Sequence, residues 1–333
     1  MEKFVKTSSK NVRWKASAVK WIVLILFYAI IQVLISTYII NDYIFSTFVT
    51  VCINIILAVS LNLITGFTGQ FSLGHAGFMS IGAYTCALIT LRYSTQFGFI
   101  GGLLLGAVLA AIVGIFVGLP TLRLKGDYLA IATLGMAEII KILFRNVLED
   151  ITNGAAGLSG IPQFVNWTWL FIFTAGTVAL ISNFINSSHG RACISVREDE
   201  IAAEAMGINS TKYKVMAFVT GAFFAGIAGA IYSSYFYFIS PDLFGFMKSI
   251  DILVIVVLGG MGSISGSVLS AIVLALISTY LQSFPELRMV IYGVLLILIM
   301  LFRPQGIMGS RELSLSDMKK WVQGIRRKNG GIA

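Results

Sequence analysis

Residues 97–119 run without a single charged side chain, and comparable apolar stretches recur along most of the chain. One such run could be a buried helix of a soluble core; a long succession of them cannot. Hydrophobic residues make up 57% of the 333 and charged residues only 12%, with a mean hydropathy of +0.88. Soluble domains carry about 25% charged residues. A chain this poor in charge cannot cover a globular surface of its own size, so it belongs in lipid. The soluble enzyme, the disordered segment and the disulfide scaffold are excluded. Cys52, Cys86 and Cys193 lie far apart, and Cys52 and Cys86 sit in apolar runs. They read as small buried hydrophobes, with no metal site.

A bilayer core about 30 Å thick needs about 20 apolar residues per helix. Ten apolar segments are predicted: 20–40, 44–65, 78–92, 98–119, 127–146, 168–186, 213–238, 246–259, 263–283 and 287–302. The expected fold class is an all-α polytopic membrane protein: a basic tail (1–19), a transmembrane domain (20–302) and a second basic tail (303–333). The net charge of +9 would suggest nucleic acid in a soluble protein. Here nineteen of the 24 Lys and Arg, counting Lys20 at the very start of the first segment, fall in the two tails and in loops 120–126 and 187–214. With ten crossings and an inner N-terminus, all four regions face the cytoplasm, as the bias of basic residues toward inner loops requires. Loop 147–167 then lies outside; it carries Glu149 and Asp150 and no Lys or Arg. Both termini are expected in the cytoplasm, with lipid as the surround and no nucleic-acid partner.

Two places interrupt this pattern. Residues 65–77 are Gly-rich, carry only His75 as an ionisable group, and precede a short apolar segment. Residues 259–266 are similar and follow another short segment, 246–259. Backbone that leaves its helix at membrane depth must be buried in protein or line a cavity, as in the broken helices of transporters. Gly69, Gln70, Ser72, Gly74, His75, Gly259 and Gly260 are therefore candidates for a translocation pathway. A five-and-five division makes the third and eighth segments correspond and relates the halves as an inverted repeat. Glu138 and Asp251 are the acids inside segments and join the pathway candidates, because intramembrane charge is costly. For Glu138 an i,i+3 ion pair with Lys141 is the stronger reading; Asp251 also suits the outer interface.

The loop 187–212 is expected to hold a short helix, about 196–206. Ser195-Val196-Arg197-Glu198 has capping-box spacing. Asp199 and Glu200 suit a first turn. Ile201, Ala205 and Ile208 form a stripe, and Gly207 suits the C′ stop. The loop is nearly balanced in charge, unlike a helix resting on lipid, so it reads as a docking surface for a partner protein. No Walker phosphate loop, HExxH or G-x-S-x-G is present in the sequence. No catalytic residue, cofactor or metal ligand is nominated, and any ATPase is expected on another chain.

The stretch Gly190-Arg191-Ala192 through Arg197 to Asn209 resembles the cytoplasmic coupling loop of ABC-importer permeases, and more narrowly that of LivM-type branched-chain amino acid permeases. Gly66 to Tyr84, Gly126 to Gly135, Thr152 to Pro162 and Val257 to Gly266 are also similar to that family, so the likeness covers about residues 45–310. The general importer pattern places Glu before two alanines; here Ile201 precedes Ala202 and Ala203, and the acids move to Asp199, Glu200 and Glu204. The resemblance implies a coupling loop of Gly190, Arg191, Ser195, Arg197, Glu198, Asp199, Ile201, Ala202, Ala203 and Gly207. It also implies a second homologous permease subunit, two cytoplasmic ATPase subunits, an extracytoplasmic binding protein and a bacterial inner-membrane location. Amides, urea or sugars are the alternative solutes, and an ion-coupled secondary transporter is the rival class.

Overall fold

The computed structural model describes residues 24–309 except Lys125, Gln282, Ser283 and Pro304. The tail 1–19 and residues 310–333 of the second tail lie outside the described residues. The chain divides into two units, residues 1–49 and 50–333. Helix α1 (Leu24–Ser36) belongs to the first, and α2 (Asp42–Asn62) begins in it and continues as a π-helical turn, Leu63–Phe67.

In the second unit follow α3 (His75–Arg92), α4 (Gln96–Thr121), α5 (Asp127–Ile142, extended by a π turn to Val147) and the single turn α6 (Glu149–Thr152). Then come α7 (Trp167–Asn186), α8 (Ser188–Glu198), α9 (Glu200–Ala205), α10 (Ser210–Phe236), α11 (Phe246–Gly259), α12 (Ile264–Tyr280) and α13 (Pro285–Phe302). Each of the ten predicted apolar segments falls on one of these helices. Four stretches among the described residues are long and apolar enough to cross a bilayer: Asp42–Phe67, Gln96–Thr121, Trp167–Asn186 and Ser210–Phe236. Helix α11 is short at 14 residues, as its sequence predicts, whereas α3 starts at His75 and reaches 18 residues, longer than α5 or α12, so the short third segment is corrected.

Polar side chains start several helices. Thr95 accepts from Gly98 N (3.1 Å) before α4, Asn209 from Lys212 N (2.9 Å) before α10, and Ser263 from Gly266 N (3.1 Å) before α12. Each satisfies a backbone N–H that the helix itself cannot. Between α6 and α7, β1 (Leu158–Ser159) pairs antiparallel with β2 (Phe238–Ile239), tying the long loop 147–167 to the end of α10.

The core is the packing of α3 against α4 and α10. A Cβ built on Gly82 would lie 2.0 Å from Gly226 O, one on Gly226 2.9 Å from Ala107 Cα, and one on Gly229 1.9 Å from Met79 O. The backbones themselves are in contact, which is how helices associate where lipid removes the hydrophobic drive. Phe78 meets Phe218 edge to face, centroids 5.5 Å apart, filling the space beside the glycines. The Gly221, Ala225, Gly229 spacing has the same origin: a Cβ built on Gly221 would lie 2.5 Å from Ile64 Cδ1 of the π turn, and Gly229 faces α3.

Gly82→Val should destabilise the detergent-purified protein by about 3 kcal/mol through overpacking. Gly101→Ala, where an added Cβ meets nothing within 4 Å, should be neutral or slightly stabilising. Thermal unfolding of the two variants checks this; equal midpoints would refute close backbone packing here.

Candidate functional site

The two Gly-rich interruptions meet. Where α2 ends, its last carbonyls find partners one by one. Thr68 Oγ1 donates to Leu63 O (2.6 Å) and Gln70 N donates to Ile64 O (3.1 Å). Arg197 Nη1 donates to Gly66 O (2.7 Å). Such carbonyls cannot be left bare in a low-dielectric interior, and a cation suits a helix C-terminus. Asn62, buried one turn earlier, reaches the other interruption. Its Nδ2 donates to Ser263 O (2.9 Å) and Ser267 Oγ (2.8 Å), while its Oδ1 accepts from Gly262 N (2.8 Å).

The segment between α11 and α12 turns through Gly260 (φ +110°) and Gly262 (φ +90°), angles that favour glycine. Gly259 and Gly266 pack face to face; a Cβ on either would come within 2.5 Å of the other's carbonyl oxygen. The α11 carbonyls Leu258 O and Gly259 O accept from Ile307 N (2.9 Å) and Met308 N (3.2 Å). Residues 305–309, expected as the start of a tail, are instead a strap that caps α11.

After Gly69 (φ +72°), the chain runs through buried Gln70 and Ser72 to α3. The start of α3 is stapled to its neighbours: Leu73 N donates to Thr133 Oγ1 (3.1 Å) and Ala76 N to Ser249 Oγ (3.3 Å). Gly74 has no room for a side chain, with 2.5 Å from a built Cβ to Thr133 O. His75 is buried, and its Nε2 shares a hydrogen bond with Ser60 Oγ (2.8 Å). Among the described residues, Gln70, His75, Tyr84 and Thr174 hold buried side-chain polar atoms without a hydrogen-bond partner. Three of the four fall on the single stretch 70–84. The pathway candidates Gly69, Gln70, Ser72, Gly74, His75, Gly259 and Gly260 thus lie on segments joined through Asn62 and Arg197.

Glu138 and Asp251 stand apart from this junction. Glu138 pairs with Lys141 (3.4 Å), as its spacing predicts, and Lys141 and Arg145 also pair with Asp242 (3.5 and 3.6 Å). Asp251 lies in α11, about two turns before Gly259.

Loop 187–212 contains two helices where the sequence predicts one. Ser187 caps α8 by accepting from Gly190 N (3.3 Å), and a Cβ on Gly190 would lie 2.2 Å from Ile185 O. The expected capping box does not form. Ser195 Oγ donates back to Arg191 O (3.0 Å) inside α8, and Arg191 braces Asn186 O (3.1 Å). The cap is Asp199, whose Oδ1 accepts from Ile201 N (2.9 Å) and Ala202 N (3.0 Å). Aspartate is as good an N-cap as serine, and its extended backbone (φ −157°) breaks the chain between α8 and α9. The helix predicted at 196–206 is therefore α9, starting at Glu200. Its end is as predicted. Gly207 (φ +83°) donates to Glu204 O (2.9 Å) and Ile208 N to Ala203 O (3.0 Å), the two bonds of a Schellman stop.

The expected apolar stripe is corrected too. Ala203 is the buried residue of α9, at 5% exposure, while Ile201 and Met206 stand 78% and 83% exposed beside exposed Ala202 and Ala205. Lys214 Nζ holds Glu200 Oε1 (2.6 Å), Ser210 holds Glu204, and Arg197 also grips Glu198. The result is a short, braced knob with a small-residue apolar crown. Arg197, at the root of the knob, touches both interruptions: its Cγ would lie 3.0 Å from a Cβ on Gly69, and its Nη1 3.0 Å from one on Gly262.

Asn62→Leu strands Gly262 N in a buried site and should cost about 1–3 kcal/mol. Ser267→Ala should cost less, because Asn62 Nδ2 keeps Ser263 O. Chemical or thermal denaturation of the purified variants orders the two; a harmless Asn62→Leu would show that this contact does not hold the junction.

The family described as branched-chain amino acid transport system / permease component matches residues 43–300. The chain is 38% identical over 290 residues to the high-affinity branched-chain amino acid transport system permease protein LivM of Salmonella typhimurium, covering 77% of this chain and 68% of that one. It is 37% identical to LivM of Escherichia coli, with the same coverage. It is 27% identical over 291 residues to LivH of Salmonella typhimurium, covering 78% of this chain and 92% of that one. The match over residues 43–300 and the likeness to LivM place this protein in the family of branched-chain amino acid transport permeases.

Proposed function

We propose that this chain is the transmembrane permease subunit of an ATP-driven importer, moving branched-chain amino acids inward by alternating access. The observation that carries the reading is the placement of Arg197. It links the exposed knob to Gly66 O at the end of α2, beside the Gly262 turn. A force applied to α9, which is capped at both ends and braced to α10 by Lys214, reaches Arg197 across the short link at Asp199.

The apolar crown of Ile201, Ala202, Ala205 and Met206 is the docking face for a separate ATPase subunit. Small alanines let a partner approach closely, and the exposed large side chains supply apolar anchors. ATP binding draws the ATPase subunits together and shifts the permease toward one of its two states; the shift is limited by the differential affinity of the partner for those states. Ten crossings put 187–212, with both termini, in the cytoplasm and 147–167 outside, where a binding protein delivers the amino acid. The LivH relative supports a second, homologous permease subunit as partner. The third and eighth segments, which a five-and-five repeat relates to each other, meet where Ala76 N of α3 donates to Ser249 Oγ of α11.

Charge placed on the crown should uncouple the machine. Ala205→Arg, in the assembled transporter, should cut ATP-dependent leucine uptake at least tenfold while the protein stays in the membrane and ATP hydrolysis continues. Ala203→Arg is a poorer probe, since Ala203 faces the chain's own interior. Unchanged uptake by Ala205→Arg, or uptake that follows an ion gradient instead of ATP, would overturn the coupling.

Orientation has its own measurement. The three natural thiols are buried, and burial pushes the Cys193 thiol up to about 11, so it stays protonated and inert at neutral pH. A cysteine introduced by Met206→Cys, in the permease expressed without ATPase subunits to cover the crown, should therefore react with an impermeant maleimide in inside-out vesicles only, against a silent wild type. Labelling from right-side-out cells would place the knob on the wrong face.

A further inference from the structure

Four charged side chains far from the knob form a row. Glu138, Lys141 and Arg145 follow one another along α5 and its π turn, and Asp242 stands across from them in the 3₁₀ turn Pro241–Phe244 that leads into α11. Lys141 Nζ lies 3.4 Å from Glu138 and 3.5 Å from Asp242, and Arg145 Nη1 lies 3.6 Å from Asp242. All three contacts are longer than a charge-assisted hydrogen bond, about 2.7–2.9 Å. At the knob, by contrast, Lys214 closes on Glu200 to 2.6 Å. The row is paired in charge, yet its hydrogen-bonding capacity is largely unspent.

Its place in the fold is unusual for charge. Glu138 stands eleven residues past Asp127, about 16 Å along the helix, near the middle of a bilayer about 30 Å thick. The side chains of Glu138 and Asp242 are nevertheless 36% and 59% exposed. Charges exposed at such depth face water or protein, not hydrocarbon. The backbone beneath them is firm. Buried Tyr84 of α3 stacks on Phe144 (centroids 4.4 Å apart) and meets Phe244 edge to face (6.3 Å), which fixes the residue before Arg145 against the turn that carries Asp242. Loose charged tips on a fixed backbone can change partners without moving a helix.

We propose that this row takes the charged end of the amino acid as it crosses: Asp242 receives the ammonium, Lys141 and Arg145 the carboxylate. Glu138 keeps Lys141 paired while Asp242 turns to the solute. Bare charges at this depth would be costly. Here each end of the zwitterion replaces a partner that the row already has, so ion pairs are exchanged and the net charge is unchanged. The row reads the charged end alone and leaves the aliphatic side chain to other groups. The inference rests on the reading of the chain as an amino acid permease and goes beyond it by naming the groups that handle the solute's charges. Helix α11 starts at this row and ends at the Gly260 turn, so the row and the junction held by Asn62 stand at the two ends of one short helix.

The test uses right-side-out membrane vesicles holding the complete transporter, without binding protein. Leu243→Cys places a thiol beside Asp242 at an exposed position outside the row, and the natural thiols are buried. An impermeant maleimide should label it from the outer face. Leucine should slow the labelling at least fivefold, and alanine likewise, whereas acetate and ethylamine, with one charge each, should not. Asp242→Asn or Lys141→Met, added to Leu243→Cys, should abolish this protection and leave the unprotected rate as it was; Lys141→Arg, which keeps the cation, should retain it. Arg145→Gln, at the exposed end of the row, should weaken protection and decides the matter if either neutral variant fails to assemble. No labelling from outside, no protection by leucine, or protection that survives these neutral substitutions overturns the row. It leaves the permease reading intact so long as the same vesicles, given binding protein and ATP, import leucine. A transporter that imports no branched-chain amino acid overturns the permease reading itself.

Discussion

Hydrocarbon supplies no hydrogen-bond partners, so wherever a backbone leaves its helix at membrane depth some other part of the chain must answer it. The ends of α2 and α11 show this most plainly. Three carbonyls near the end of α2 are met by a hydroxyl, a main-chain N–H and a guanidinium, and two at the end of α11 by the strap 305–309. Asn62 answers a donor and an acceptor of the α11–α12 turn at once. The interrupted helices are held by these answers, and each answering group ties one segment of the chain to another.

Much of this was legible in the sequence. Long uncharged runs mark the helices, because little else satisfies backbone groups in lipid. Gly207 marks the stop of α9, because its left-handed backbone needs no Cβ. The Gly-rich stretches at 65–77 and 259–266 mark the interruptions. Local pattern could not show that the two stretches touch, because Asn62 and Gly262 are 200 residues apart in the chain and neighbours only in the fold. Nor does spacing reveal that Arg197 reaches Gly66, a contact that depends on how α8 lies against α2.

Loop 187–212 shows how local pattern can find a helix and misplace its start. Ser195 and Asp199 are both good caps four residues apart, and sequence offers no means of choosing between them. The fold chooses Asp199, because Val196 and Arg197 must stay helical for the guanidinium to arrive at Gly66. Ala203 and Ala205 look equivalent in sequence, yet one faces inward and the other outward. Strap 305–309 lies in a stretch whose basic residues read as a simple tail; the telling feature there is Gly306 and Gly309, both with positive φ, that let the chain fold back on α11.

The linkage from knob to interrupted helices is made largely of side chains gripping main chain: Arg197 on Gly66 O, Asn62 on Gly262 N and Ser263 O. A peptide carbonyl is present whatever residue occupies the position. Side chains elsewhere can therefore be exchanged while these ties, made to the main chain, stay in place. On the proposed function, such a permease can change what it carries without relearning how to be driven.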